Sequence, residues 1–592
     1  MKPGHARRVP ARLAFEASGL TGHGALQLDF GPPRTVLMAT SVPEVRQVIE
    51  AAEAAARDGA WVVGWLAYEA AAAFDAALPT HPPEGPLAWF GLHDAPLTCQ
   101  TPMEPAADAV RASWDDAPCA RADFEAALVE LMQAIEAGEI YQVNHTARWR
   151  GQLRHGGALD LFTRLWREQP AAYSAFIDCG DQQVLSVSPE LFFDWNGEQV
   201  LTRPMKGTAP RGRNERDDAA QAEQLASSPK ERAENVMVVD LLRNDLSRVA
   251  LPGSVRVPAL FDVRALPTVW QMTSDVVART RPGTRLVDLL QALFPCGSVT
   301  GAPKRQAMRR IARHEVGARG IYCGAVGVLR PGGGATFNVG IRTVVARGTA
   351  LNLGVGSGIT AGSGARAEWR EWHHKAAFAH RAAEPFELLE TLRLDEGQWR
   401  SEERHRERMA QAARAFGFAW SAQDWDTALH ALALAHPVGQ WRVRVLCSRG
   451  GFLQATAHAM VTTTPVPVRL VLAKTPFLAA HSAFVRHKTT RRSAYEAAER
   501  VSADAFDTLL WNDEGELTEC TRGNIALRFD DGAWVTPALD CGLLPGVGRQ
   551  VALDEGRLVE AVVPVSALAR VREVAFVNSL RGWLPAVLDT TA

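Results

Sequence analysis

The sequence predicts a mixed α/β (α+β) protein of two successive units, and three observations carry that expectation. Alanine-rich segments of helical pattern, EVRQVIEAAEAAARDGA and DFEAALVELMQAIEAGE, alternate with β-like runs such as QQVLSVS, FNVGIRTVVA and RVRVLCS. At 592 residues the chain exceeds one ordinary domain. A long helical pattern, EWREWHHKAAFAHRAA, runs into a proline at HRAAEPF, after which a new series of strands begins. The break at 380–386 gives units over residues 1–380 and 386–592.

Composition narrows the function classes. Hydrophobic residues at 47% and charged residues at 22% are those of a globular protein, and a net charge of −2 offers no field for nucleic acid. The most apolar stretch, WVVGWLAYEAAAAFDAAL, is interrupted by Glu69 and Asp75 and falls short of the ~18 apolar residues of a membrane span. The opening MKPGHARRVPARLAFE has no apolar core of a secretory signal, so a cytoplasmic protein without membrane association is expected. Eight cysteines are scattered without a CxxC pair, which predicts reduced thiols rather than disulfides or a zinc site.

The positive charges are unevenly written. Of 64 Lys and Arg residues only seven are lysine, at 2, 206, 230, 304, 375, 474 and 488. Lys206 stands in LTRPMKGTAPRG. An amine can act as nucleophile, Schiff base or titrating acid, whereas a guanidinium stays protonated.

In the first unit, SSPKERAENVMVVDLLRNDL reads as a helix capped by Ser228, with Pro229 at its first position and Glu231 three residues after the cap. Glu231 and Glu234 then lie one turn apart on one face, and Glu368 and Glu371 repeat the device in ARAEWREWHHKAAF, with Lys375 a further turn on. Four carboxylates from two helices would suit Mg²⁺, while a capping box and a solvated face would write the same letters.

The company of these pairs separates the readings. GEIYQVNHT (138–146), SVSPELFF (186–193), PMKGTAPRG (204–212), FPCGSVTGAPK (294–304), RGIYCGAVG (319–327), FNVGIRT (337–343) and GVGSGITAGSG (354–364) together resemble the chorismate-utilising enzymes. That family includes anthranilate, isochorismate, salicylate and aminodeoxychorismate synthases. The resemblance covers residues 60–378 and implies a large domain with a two-layer antiparallel sheet core. It also implies that Glu231, Glu234, Glu368 and Glu371 form the Mg²⁺ shell. Tyr322, Arg342, Lys375 and the backbone at Gly356 would hold the carboxylates of chorismate, with Gly207, Thr208 and Ser298 lining the pocket. Neither GSVTGAPK nor GVGSGITAG fits a nucleotide loop.

Two positions distinguish members. Water-using relatives resemble one another in placing lysine where this chain has Gln142, and anthranilate synthases read PIAGT where this chain has PMKGT. The version with Lys206 is similar to that of aminodeoxychorismate synthases. The implied chemistry has Lys206 attack C2 of chorismate while Glu190 protonates the departing C4 hydroxyl; ammonia then enters at C4 and expels the lysine. Gln271 replaces a histidine common in the family, which leaves hydrogen bonding rather than acid–base work at that position. No cysteine stands in a glutamine-amidotransferase context, so ammonia is expected from a separate glutaminase subunit.

From Phe386 the motifs change: ETLRLDEG (390–397), ERHRERM (403–409), VRHKTTRRSAY (485–495), LLWNDEGELTECTRGNIAL (509–527), CGLLPGVGRQ (541–550) and NSLRGW (578–583). These resemble the fold-type IV pyridoxal-phosphate enzymes, a smaller two-lobed fold that includes branched-chain and D-amino-acid transaminases and aminodeoxychorismate lyase. The resemblance implies that Lys488 carries the cofactor and Glu519 pairs with its pyridine nitrogen. Arg408 would bind its phosphate, helped by the backbone at Val547 and Gly548 and by Ser579. It further implies a homodimer through this unit. The fusion itself predicts the reaction: an upstream amination of chorismate followed by elimination of pyruvate to 4-aminobenzoate, with a true aminotransferase as the alternative.

Overall fold

Strand pairing in the first unit, which ends at Glu384, gives two large sheets, one of nine strands and one of ten, with every pairing antiparallel among the described residues. The computed structural model describes residues 10–19, 21–97, 110–212, 215–266, 269–460, 466–499, 505–529 and 532–590, so Cys99 and the first nine residues of the chain lie outside them. The described cysteines are all free.

The two sheets pack face to face through Leu13, Tyr173 and Val184 of the nine-stranded sheet and Val63, Trp65, Leu191 and Val326 of the ten-stranded one. Helices cover both outer faces. Val42–Arg57, Pro229–Ser247 and Leu286–Leu293 lie on the ten-stranded sheet, and Arg121–Glu136, Ala158–Glu168 and Ala365–Ala382 on the other. The apolar stripe of Val42–Arg57, which buries Val45, Ile49, Ala52 and Ala56, shows why an alanine-rich pattern folds there: one face meets the sheet and Ser41 caps the start through Glu44.

The run FNVGIRTVVA, expected as one strand, is two. Ala335–Val339 belongs to the ten-stranded sheet and Thr343–Arg347 to the nine-stranded one. Between them Arg342 takes φ +51°, a left-handed conformation that lets the chain change layers. A second crossing occurs at Pro189–Glu190, between Gln183–Ser188 and Leu191–Trp195. The crossings are bonded to each other: Val339 N–H donates to Glu190 O at 3.0 Å, Val187 N–H to Arg342 O at 3.1 Å, and Ser188 Oγ to Val339 O at 2.7 Å.

The second unit begins at Pro385. A four-stranded antiparallel sheet, Leu388–Asp395, Gln398–Trp399, Gln440–Cys447 and Leu453–Ala459, packs against helices Glu402–Phe416 and Ala422–Ala435. An eight-stranded mixed sheet follows, with parallel pairs such as Val468–Leu472 beside Asp507–Trp511. This is the two-lobed α/β form expected of the second unit. No helix among the described residues is long and apolar enough to cross a membrane.

Candidate active sites

The first site forms where the two sheets of the first unit meet. Lys206, on the strand Met205–Pro210 of the ten-stranded sheet, reaches across to Ala350–Ile359 of the other. Its amine lies over Gly358, in space that a side chain at 358 would fill, and the Gln142 carboxamide occupies the same spot. Gln142 is 1% exposed, and neither of its side-chain polar atoms has a partner among the described residues. Two open functions on a buried amide call for a partner.

Glu190 sits at the crossing, 3% exposed. Burial pushes its carboxyl up to about 7, against the opposing pull of the Ser298 hydroxyl, the Met205 N–H and the charges of Lys206 and Lys375. Ser298 Oγ donates to Glu190 Oε1 at 2.7 Å. At about 7 this carboxyl is poised to hold or release a proton near neutral pH, within the electrostatic reach of Lys206.

The adjoining residues are tied to the same strands. Gln271 Nε2 donates to Gly207 O at 2.8 Å, and Thr208 Oγ1 to Gln271 Oε1 at 3.1 Å, so Gln271 fixes the turn after Lys206. Lys375 Nζ donates to Gly356 O at 2.8 Å and pairs with Glu371 at 2.6 Å. The Tyr322 ring lies flat against Gly354, where it lines a cavity of about 80 Å³ shared with Trp65, Arg148 and Arg347. Burial lifts the Tyr322 hydroxyl well above its usual range. Arg342 donates from Nη1 to Gln169 at 2.6 Å and stands over Phe378, while burial pulls its guanidinium down to about 10.

The four carboxylates are near one another without forming a ready-made cage. Among the described residues no three His, Cys, Asp or Glu side chains are set to hold a metal. Lys206 stands 3.7 Å from Glu234, and Lys375 holds Glu371. Burial favours raising Glu371, but Lys375, Lys206 and Lys230 outweigh it and keep this carboxyl below its usual range. Burial, then the charge of Glu234, raises Glu231. Glu368 is 6% exposed, and its Oε2 has no partner among the described residues. Only half of the expected capping box forms. Glu231 N–H donates to Ser228 Oγ at 3.3 Å, but the Glu231 side chain turns to Gly207 instead of back to the cap.

The second site lies in the second unit. Lys488 is stitched to the first strand by Leu389 N–H, which donates to its carbonyl at 3.0 Å. Burial and the nearby Arg408 and Arg492 bring the Lys488 amine down to about 8. Glu519, 3% exposed, is pushed up to about 7 by burial and accepts from Tyr495 Oη at 2.7 Å and Leu544 N–H at 3.1 Å, with Asn524 at 3.4 Å. Val547 opens the helix Val547–Asp554, and Gly548 packs on the main chain of Asn578 and Ser579, where a Cβ would come within 2.6 Å of Asn578 C. A residue at 548 can offer only its backbone, which is why glycine stands there.

Sequence reasoning passed over Glu390 and His405, although both stand in quoted motifs, and over Tyr495 and Asn524 as partners of Glu519. Their partners lie on other elements, and no spacing in the chain announces them.

Residues 26–381 match the chorismate binding enzymes, and the chain belongs to that family. Residues 387–588 match the amino-transferase class IV domain. Aminodeoxychorismate synthase component 1 of Klebsiella aerogenes is 40% identical over 293 residues, 50% of this chain and 63% of the relative. Aminodeoxychorismate synthase of Streptomyces griseus is 43% identical over 249 residues, 41% of this chain and 34% of the relative. The chain thus spans less than two thirds of the length of these curated relatives. Anthranilate synthase component I from Streptococcus pneumoniae TIGR4 superposes with a TM-score of 0.53 at 23% identity, over 64% of this chain and 95% of that structure, and so shares the fold.

Proposed function

We propose that the chain makes 4-aminobenzoate in two steps: amination of chorismate to 4-amino-4-deoxychorismate in the first unit, then elimination of pyruvate in the second. The observation that carries this reading is the juxtaposition at the sheet crossing, where the Lys206 amine lies over Gly358 near a buried Glu190 whose carboxyl is held at about 7. Lys206 supplies the nucleophile for C2, and Glu190 gives its proton to the C4 hydroxyl as that group leaves. Ammonia adds at C4 and the amine of Lys206 departs from C2, which restores the enzyme. Gln142 in place of a lysine disfavours water as the entering group. Tyr322, Arg342 and Lys375 with Gly356 would hold the carboxylates of chorismate, and Gly207, Thr208 and Ser298 shape the pocket.

We assign Glu231, Glu234, Glu368 and Glu371 to Mg²⁺ on the chemistry of the donors rather than on a formed cage: the Glu368 oxygen has no partner among the described residues, and the charge of Glu234 raises Glu231. Bound there, Mg²⁺ would orient the ring carboxylate and offset its charge. The supply of ammonia we assign to a separate glutamine amidotransferase subunit, with free ammonium as a substitute in vitro.

In the second unit, Lys488, Arg408, Glu519, Val547, Gly548 and Ser579 would hold pyridoxal phosphate, a reading supported by an amine at about 8, a cationic fork and a buried carboxyl. That cofactor would supply an electron sink for the carbon bearing the amine. Lys488 would take the proton from C4, after which the enolpyruvyl group leaves as enolpyruvate and takes up that proton to become pyruvate, and the ring becomes aromatic.

One incubation tests the scheme: purified chain with chorismate, ammonium, Mg²⁺ and pyridoxal phosphate, following aromatic product and pyruvate together. The expected result is 4-aminobenzoate and pyruvate in equal amounts. Anthranilate would overturn the role of Lys206. An accumulating amine without pyruvate would replace the lyase by an aminotransferase.

A further inference from the structure

Glu390 lies on the strand Leu388–Asp395, next to the residue that bonds the Lys488 carbonyl. It is 1% exposed and receives three N–H groups: Arg408 Nε and Nη2, each at 2.7 Å, and His405 Nδ1 at 2.7 Å. His405 and Arg408 are three residues apart on the helix Glu402–Phe416 and present to the same carboxylate. Arg408 Nη1 also donates to Pro545 O at 3.1 Å, two residues before the helix Val547–Asp554. Of the five guanidinium N–H groups, these contacts occupy three and leave one on each terminal nitrogen.

We propose that Glu390 and His405 are positioning residues that set Arg408 as the clamp for the phosphate of pyridoxal phosphate. This rests on the reading that the second unit holds that cofactor. A buried ion pair is poor evidence of stabilisation, because desolvation offsets its attraction, and an apolar cluster of similar volume would hold the lobe as well. Its use here is orientation. Arginine is long and flexible, and fixing it before the ligand arrives removes the entropy that binding would otherwise lose. The bidentate contact with Glu390 immobilises the Nε–Nη2 edge of the fork, and the remaining N–H on each terminal nitrogen is then available to a phosphate. His405 completes the carboxylate's acceptor set. Since the partner is ionised, His405 Nδ1 carries the proton, and Nε2, without a partner among the described residues, is left as the bare nitrogen. Gly548 brings no hydroxyl to the phosphate, which places more of the recognition on Arg408.

The test separates the phosphate from the ring. Cofactor-free full-length chain is titrated with pyridoxal phosphate and, separately, with pyridoxal, following the visible absorbance. Glu390→Gln should weaken pyridoxal phosphate by about 10- to 100-fold, the worth of an oriented hydrogen bond to a charged group, while leaving pyridoxal unchanged. Glu390→Asp keeps the charge but shortens the reach, and should show the same selective loss in a chain whose fold is more secure. Glu390→Gln combined with Arg408→Lys should bind pyridoxal phosphate no more weakly than Arg408→Lys alone. Equal weakening of both compounds in the Asp variant, or no weakening in either variant, overturns the proposal. A wild-type chain that captures neither compound removes the cofactor reading itself.

Discussion

The hydroxyl of Ser298 donates a 2.7 Å hydrogen bond to Oε1 of Glu190, linking the short turn Gly297–Val299 to the point where the chain changes sheets. The bond favours the ionised carboxylate, while burial favours the protonated one and prevails, leaving Glu190 at about 7. If the protonated form is the working one, the first reaction should slow as pH rises through about 7. Ser298→Ala removes a donor to the charged form, so the alkaline limb should move upward by ~1 pH unit. A pH profile of ammonium-dependent chorismate consumption reads it; a limb that stays in place or moves down removes Glu190 from the role of acid.

Gly358→Ala should separate chemistry from folding. The added methyl would meet the Lys206 amine and the Gln142 carboxamide, both ends of side chains that can swing away. The melting temperature should fall by no more than about 2–4 °C, the effect of about 1 kcal/mol, while the first reaction loses about a hundredfold through displacement of the amine. Lys206→Ala should cost about three orders of magnitude in the same assay while sparing the second reaction. Retained amination in Lys206→Ala would mean that the nucleophile is ammonia alone.

Capture of pyridoxal phosphate should be governed by the free amine of Lys488. Only the uncharged form attacks an aldehyde, so the rate should climb with pH and level off above about 8, well below the range of an ordinary lysine. Stopped-flow absorbance measures the profile. Borohydride treatment followed by peptide mapping should fix the cofactor at Lys488 and leave Lys488→Ala unlabelled.

Gly548→Ala contrasts with Gly358→Ala. Its Cβ would come within 2.6 Å of Asn578 C and 2.8 Å of Ser579 N, both main-chain atoms that cannot turn aside. The cost should be about 1–3 kcal/mol of stability in the second unit, read as an earlier unfolding transition and easier loss of cofactor absorbance. An unchanged transition would mean that the strand Glu573–Asn578 yields more readily than its buried pairing suggests.

Much of the arrangement was legible in the sequence because its parts are written in short motifs. Lys206, Glu190, Ser298 and Gln142 lie as far as 156 residues apart in numbering, yet the resemblance placed them in one pocket and the structure brings them to one sheet crossing. What the letters did not carry is the choice among partners for a charged group. Glu231 reads as the far end of a capping box, but in the fold Gly207 opens a space beside it and the carboxylate goes there. The layer change in FNVGIRTVVA was hidden because alternation of apolar residues continues through Arg342, and only its backbone angle marks the break. Glu390 shares no local pattern with His405 and Arg408, since a strand supplies it and a helix supplies them.

The two bonded crossings give the first unit an unusual mechanical property. Glu190 and Arg342 belong wholly to neither sheet, and Lys206 must span from one layer to the other to reach Gly358. The reacting geometry therefore depends on how the two layers are held against each other. A shift small enough to leave every strand pairing intact would still alter the gap between acid and amine. Substitutions in the interlayer contacts of Trp65, Leu191 and Val326 should therefore change turnover as well as stability.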